Sequence, residues 1–306
     1  MRVGAVDLGT NSTRLLVADV DDGQVEDVAR RTEITRLGEG VDERRKLLPL
    51  PIARVRNVLA DYRRELEELG AERVLAIGTS AIRDAENGEA FLGEIEWSYG
   101  FATRLLSGGE EAELTRRGVA NGRELGDGTL VLDVGGGSTE LITARERTSL
   151  DLGSVRLTER HLHTDPPTDE EVEAAARAVR DELPAVEPDD AIGVAGTITT
   201  LAALELGGYD PERVHGYRLS REAVGAQLDR LASLPLARRR ELAGLEPERA
   251  PVIVAGAVIV SEVLDRYSLS GLEVSERDLL HGAALEAAAL PPAEEGDAPP
   301  GAYTCC

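Results

Sequence analysis

Sulfur and rings are scarce in this chain: among 306 residues there are two cysteines, one methionine, one tryptophan and two phenylalanines. The cysteines, Cys305 and Cys306, are adjacent at the C-terminal end, with no third cysteine to pair with and no metal-ligand spacing. That excludes a disulfide framework and a thiolate zinc site. The four histidines, His161, His163, His215 and His281, are scattered. His161 and His163 fall two apart on a predicted helix and so point to different faces, which argues against a histidine metal site. Lysine is nearly absent too: Lys46 is the single one, and arginine supplies the other cations. With 57 acidic against 34 basic residues the formal charge is −23, which argues against nucleic acid as a partner. It suits a solvated surface in a very salty cytoplasm. The longest apolar stretch, Ala250–Leu264, is interrupted by Ser261 and Glu262 and is too short to span a membrane. Met1 leads straight into a predicted strand, without a charged and then apolar leader, so a cytoplasmic protein with no membrane partner is expected.

Glycine, by contrast, is plentiful and patterned. Residues 3–16 read VGAVDLGTNSTRLL and residues 129–142 read TLVLDVGGGSTELI. Aligned on their aspartates, Asp7 matches Asp133, Gly9 matches Gly135, Ser12 matches Ser138 and Thr13 matches Thr139. Each stretch is an apolar β-branched run, an Asp, a small-residue turn and a second apolar run, which predicts a β-hairpin with a glycine tip. One tip alone would read as a tight turn. Two with aligned Asp, Gly, Ser and Thr point to anion binding, because glycine lets backbone N–H groups approach an anion closely.

The surrounding pattern predicts a duplicated α/β chain. Strands are expected at 3–7, 15–20, 25–31, 73–77 and 103–106, and helices at 51–69, 89–99 and 107–120. The polar, glycine-rich stretch 121–128 reads as a crossing between domains. The strand pattern restarts at 129–134, 139–144, 148–152 and 191–195, with a last strand at 272–274. Helices are expected at 169–183, from just after Gly196-Thr197 to 206, and at 220–234, 236–244, 247–267 and 279–290. The domain reading is therefore 1–122 and 123–290, with a disordered tail at 291–306 and a ligand in the cleft between the halves.

Four segments end predicted strands at small residues: DLGTNSTR, GTSAIRDA, DVGGGSTE and AGTIT. Strand ends are where ligands bind in α/β domains. A fifth, SGGEEAEL, places Glu110 and Glu111 at a helix start, where the helix dipole alone would favour them.

In this order, with LLSGGEEAEL, SLDLGSVRLTE and AGTITTLAAL, these motifs resemble the exopolyphosphatase / guanosine pentaphosphate phosphatase (Ppx/GppA) family over residues 3 to 286. The resemblance implies two duplicated ribonuclease-H-like domains of the actin-like ATPase superfold with a central cleft. It implies phosphoanhydride hydrolysis, with Mg²⁺ or another divalent cation, K⁺ as an accompanying ion, and a homodimer. Glu111 matches the catalytic base. Asp133 and Glu140 match carboxylates that position metal and water, Glu140 counting also as catalytic. Asn11, Ser12, Arg83, Gly135, Gly136, Gly137, Ser138, Gly196 and Thr197 match phosphate-contacting positions. Asp7 either ligates the metal through water or pins its own loop, and Arg14 either faces solvent or closes a salt bridge. Glu110 reads as structural. His281 replaces a charged position of the family and reads as a satisfied structural histidine. Longer relatives carry further domains, so short phosphate chains or a nucleotide become plausible substrates here.

Several readings stay open at this point. Inorganic polyphosphate is the expected substrate, and guanosine pentaphosphate is the alternative. A same-fold kinase or ATPase, or a non-catalytic sensor, is a weaker alternative, since acidic residues give a pure polyanion binder no advantage. No nucleophilic Ser, Cys or His stands out, so direct attack by water is expected.

Overall fold

A computed structural model describes residues 1–291; the expectations for the C-terminal cysteine pair and for a disordered tail fall, but for residue 291, outside the described residues. The chain divides into two compact units, Met1–Gly122 with the segment from Leu279 onward, and Arg123–Asp278.

The first unit begins with β1 (Arg2–Leu8), β2 (Thr13–Asp21) and β3 (Gln24–Glu33). Then come α1 (Val41–Arg44), α2 (Pro49–Leu69), β4 (Arg73–Gly78), α3 (Ser80–Asp84), α4 (Gly88–Tyr99), β5 (Ala102–Leu105) and α5 (Gly108–Ala120). Its sheet runs β3-β2-β1-β4-β5. β1 is antiparallel to β2 and parallel to β4. Side chains of β1 alternate between two cores, as a strand buried on both faces requires. Val6 and Leu8 pack with Val55, Leu59, Tyr62 and Leu66 of α2, whose spacing puts them on one helical face. Val3 and Ala5 pack on the opposite face with Leu114 of α5. α2 ends at Gly70, whose φ of 72° is the left-handed cap conformation glycine adopts without penalty.

The second unit holds β6 (Thr129–Val134), β7 (Thr139–Ile142), β8 (Arg147–Leu150), α6 (Ser154–His161), α7 (Asp169–Glu182), β9 (Asp190–Val194) and α8 (Ala195–Leu206). It continues with α9 (Pro211–Val214), β10 (Arg218–Ser220), α10 (Arg221–Ser233), α11 (Leu236–Arg239), α12 (Ile253–Arg266) and β11 (Gly271–Val274). The order is β10-β11-β9-β6-β7-β8, with β6 antiparallel to β7 and parallel to β9. Each sheet thus repeats one plan, a β-hairpin whose first strand has a parallel neighbour carrying a helix. This is the duplicated ribonuclease-H-like architecture of the actin-like ATPase fold.

The final helix, α13 (Leu279–Ala289), departs from the sequence reading, which put 279–290 in the second domain. Its Leu279, Leu280, Ala283, Ala284 and Ala287 join Val3, Ala5, Leu16 and Leu114 in a core of the first unit. A Cβ at Gly282 would run into the Leu114 carbonyl of α5, so glycine there allows the two helices to touch. His281 on α13 is 1% exposed, with Nε2 at 3.1 Å from Asp27 Oδ1, in keeping with a structural role.

Smaller differences have local causes. The expected helix at 236–244 shrinks to α11, with Gly244 at φ 90°. The expected helix from 247 begins only at Ile253, after Pro251, which disfavours helix in the residue before it. α6 ends at His161, so His163 lies beyond it rather than on the same helix.

Candidate active site

The two glycine tips have the same internal geometry. In the first, the Gly9 amide donates to the Ser12 carbonyl at 3.0 Å; in the second, the Gly135 amide donates to the Ser138 carbonyl at 3.0 Å. Asp7 lies opposite Arg14 across the first hairpin, and Asp133 lies opposite Glu140 across the second. The residues just past the tips, Thr13 and Thr139, are buried and anchored. Thr13 Oγ1 bonds Thr35 Oγ1 at 2.9 Å, and Thr139 Oγ1 donates to the Leu152 carbonyl at 2.5 Å.

In both tips the carbonyls are tied back. Thr10 O accepts from the Gly38 amide (2.8 Å) and Asn11 O from the Arg36 amide (2.9 Å). In the second, Gly135 O accepts from the Ser154 amide (2.9 Å) and Gly136 O from the Val155 amide (2.8 Å). Gly137 O accepts from Arg156 Nε (2.9 Å). The amides of residues 10–12 and 136–138 donate to no main-chain carbonyl among the described residues. Consecutive amides left in this state are what an anion-binding concavity requires.

The hairpins differ in one decisive pairing. Arg14 donates to Asp7 Oδ2 from Nε (2.9 Å) and lies within 2.8 Å of it through Nη2. The first hairpin therefore answers its own buried charge, and Arg14 closes a salt bridge rather than facing solvent. The equivalent of Arg14 in the second hairpin is Glu140. Asp133 and Glu140 are 6% and 1% exposed, and directly opposed residues on antiparallel strands share a sheet face. Ser149 Oγ donates to Glu140 Oε1 at 2.8 Å. Two buried carboxylates on one face suit a hard divalent cation, which takes one or two carboxylates and fills its shell with water and phosphate oxygens. No group of three or more Asp, Glu, His or Cys residues gathers as a metal cage among the described residues.

Glu110 and Glu111 separate cleanly at the start of α5. Ser107 is the N-cap, and Glu110 closes a capping box with it. Glu110 Oε2 accepts from the Ser107 amide (2.9 Å) and Oγ (2.7 Å), and Oε1 accepts from Arg104 Nη2 (2.6 Å). These bonds, the Ser107 hydroxyl foremost and Arg104 next, pull the Glu110 carboxyl down to about 2. Glu111 is instead 7% exposed and faces Arg83 of α3. Arg83 Nη1 donates to Glu111 Oε2 (3.2 Å) and to the Leu106 carbonyl (2.8 Å). Arg83 Nε and Nη2 make no hydrogen bond to any described residue, which leaves three N–H donors, on two nitrogens, for a ligand oxygen.

Within the first unit, the first tip and α3 rise from neighbouring strand ends, where Leu8 of β1 is in register with Gly78 of β4. Within the second, the second tip and α8 do the same, Asp133 of β6 being in register with Val194 of β9. Gly196 and Thr197 thus sit in the first turn of α8 rather than in a loop after a strand. Ala195, which starts that turn, has φ 68°, an uncommon value for a residue with a side chain.

Two arginines that the motif reading left without a role lie against these pieces. Arg249 stacks so closely on Gly196 that a Cβ there would meet its guanidinium, and its Nε donates to Glu246 Oε2 at 2.9 Å. Arg156 lies beneath the Gly135–Ser138 tip. Arg156 was visible in SLDLGSVRLTE, three residues past a glycine; nothing in the spacing around Arg249 marked it.

No helix among the described residues is long and apolar enough to cross a membrane. Exopolyphosphatase 2 of Mycobacterium tuberculosis is 41% identical to this chain, over 94% of it and 98% of the relative. The Guanosine-5'-triphosphate,3'-diphosphate pyrophosphatase of Vibrio vulnificus is 31% identical over 92% of the chain, which spans 58% of that relative. A crystal structure of the Aquifex aeolicus member of the Ppx/GppA protein family superposes with a TM-score of 0.80 at 35% identity, covering 94% of this chain and 97% of that one. The profile of the Ppx/GppA phosphatase family matches residues 16–289, which includes the second glycine tip, the α5 glutamates and the start of α8. On the strength of that match, and of relatives that align nearly end to end, the chain belongs to the Ppx/GppA phosphatase family.

Proposed function

We propose that the protein is an exopolyphosphatase, releasing orthophosphate from the end of inorganic polyphosphate by direct attack of water. The observation that carries this reading is the buried Glu111 held by Arg83, an arginine that keeps three further N–H donors for a phosphoryl oxygen. A carboxylate fixed in this way can accept a proton from water, while the arginine steadies charge on the group under attack. The neighbouring Glu110 is committed to the helix cap, so the base is Glu111 alone.

The roles follow from the chemistry of phosphoryl transfer, which asks for positioning and electrostatic clamping more than for covalent help. Amides of Asn11 and Ser12, and of Gly136, Gly137 and Ser138, donate to phosphate oxygens, as do Thr197 and the amide of Gly196. Water oxygen bonds to the terminal phosphorus, the bridging P–O bond breaks, and the shortened chain leaves with that oxygen. Glu111 takes the proton released by the water. Asp133 and Glu140 would hold a divalent cation, Mg²⁺ by preference, which when bound supplies positive charge to the phosphate oxygens. Asp7, paired with Arg14, keeps its loop in place. The acidic composition, cytoplasmic residence, a homodimer and K⁺ as an accompanying ion complete the proposal.

The second reading, hydrolysis of guanosine pentaphosphate at its 5′ end, draws on the likeness to the Vibrio vulnificus protein. One assay tests both: orthophosphate release from short polyphosphate, long polyphosphate, guanosine pentaphosphate and ATP, with and without Mg²⁺. Polyphosphate is expected to be the best substrate and ATP the poorest. A clear preference for guanosine pentaphosphate would establish the second reading, and turnover of ATP alone would overturn both.

A further inference from the structure

We infer that Arg156, acting with the first turn of α6, is the positioning residue that sets which way the amides of the Gly135–Ser138 tip face. The inference rests on the reading of that tip as a phosphate site. Three glycines in succession form the most mobile backbone a chain can offer. A peptide unit that flips there withdraws an N–H and presents a carbonyl oxygen, which repels an anion. The structure removes that freedom from the carbonyl side. Gly135 O is held by the Ser154 amide at 2.9 Å, and Gly136 O by the Val155 and Arg156 amides at 2.8 and 3.2 Å. The last carbonyl, Gly137 O, lies beyond the reach of the helix backbone and is held by Arg156 Nε at 2.9 Å. That bond comes from a charged donor and is stronger than a neutral one.

The side chain is built in. Arg156 is 7% exposed, with Asp151 Oδ1 at 4.0 Å from its Nη2. A Cβ at Gly153 would overlap the Gly136 carbonyl and the Gly137 nitrogen, so α6 starts in direct contact with the tip. The first hairpin shows why a cation belongs here. Its tip, Gly9-Thr10-Asn11-Ser12, has one glycine, and two main-chain amides suffice to hold its carbonyls. The second tip has three, and needs a further donor at its far end.

The test is a titration of the full-length ¹⁵N-labelled protein with inorganic orthophosphate, following the backbone amides of Gly136, Gly137 and Ser138. Wild type is compared with Arg156→Met and Arg156→Gln. Gln carries an N–H donor the same number of bonds from the backbone as Arg Nε, so it separates the hydrogen bond from the charge. In wild type the three amides are expected to shift saturably. Arg156→Met is expected to bind about tenfold more weakly, the loss of one such hydrogen bond, and Arg156→Gln to remain within about threefold of wild type. If wild type shows no shift at the tip, the phosphate reading fails and this inference falls with it. If wild type shifts and Arg156→Met binds equally well, the phosphate reading stands and the positioning role is refuted. If Arg156→Met does not fold, Gly153→Ala, whose Cβ presses on the same peptide, replaces it; unchanged binding in that folded variant also refutes the role.

Discussion

Glu110 and Glu111 are neighbours in sequence and are predicted to fail in opposite ways. Glu111→Gln keeps the shape of the side chain and an oxygen for Arg83 Nη1, which now bonds Glu111 at 3.2 Å. What it loses is a proton acceptor. A positioned general base is worth about 10²–10⁴ in rate, or about 3–5 kcal/mol of activation free energy. The folded state loses the charged part of the bond to Arg83, about 1 kcal/mol, a fall of about 2–4 °C in unfolding temperature. Glu110→Gln should do the reverse. Gln can keep the capping-box bond to the Ser107 amide, but it gives up the charge that faces Arg104 and the helix dipole. The Glu110 side chain is 44% exposed, so this loss is modest, up to about 1 kcal/mol. Turnover should stay within about threefold of wild type, because this side chain meets the cap and not the substrate.

The pH dependence gives the pair a second signature. The Glu110 carboxyl is depressed from 4.5 to about 2, so it favours the folded state wherever it is ionised in both states, above its unfolded value. That contribution shrinks as pH falls from about 4.5 towards 2. The stability gap between wild type and Glu110→Gln should therefore be full at neutral pH and close at the acid end of that window. Phosphate release from polyphosphate at saturating Mg²⁺, together with thermal unfolding at several pH values, reads both variants. If Glu111→Gln turns over at a near-normal rate, or Glu110→Gln loses activity as severely as Glu111→Gln is expected to, the assignment of the base is wrong.

Three further outcomes are expected. Arg14→Met leaves the Asp7 carboxylate buried without its cation, and should cost about 3 kcal/mol; urea unfolding that finds less than about 1 kcal/mol would show that the pair is solvated. Ala195→Gly relieves a side chain held at φ 68° and should stabilise the protein by up to about 1 kcal/mol, read by the same unfolding curves, whereas a loss of stability would mean that the turn is not strained. Raising salt from 0.1 to 1 M shortens the Debye length from about 10 to about 3 Å, so a chain of charge −23 should unfold at higher temperature in the stronger salt, and best stability in dilute buffer would contradict that.

How much of this was legible depends on what each feature needs. A hairpin is specified by neighbours in sequence, so VDLGTNSTRLL and LDVGGGSTELI located β1–β2 and β6–β7 and their tips directly. The caps of α5 and α7, Ser107 with Glu110 and Thr168 with Glu171, are equally local in sequence. Elements that exist only because something else binds them were missed. α3, five residues long, is too short to show a helical period; a helix is expected at His161, but not the start of α6 just after Gly153, which touches a loop seventeen residues upstream. α13 is apolar but for His281 and Glu286, so its sequence announces burial without naming the neighbour; the fit of Gly282 against Leu114, the core shared with Val3 and Ala5, and the pairing of His281 with Asp27 place it in the first unit. The same limit governs the site. Asp133 and Glu140 could be read as carboxylates from the motif, but their meaning comes from register. At the position opposite the matched Asp, one hairpin places Arg14 and the other Glu140. One duplicated frame thus yields an Asp–Arg pair across the first hairpin and an Asp–Glu pair across the second. On the proposed reading, that exchange of an arginine for a glutamate is what would favour a divalent cation at the second hairpin over the first.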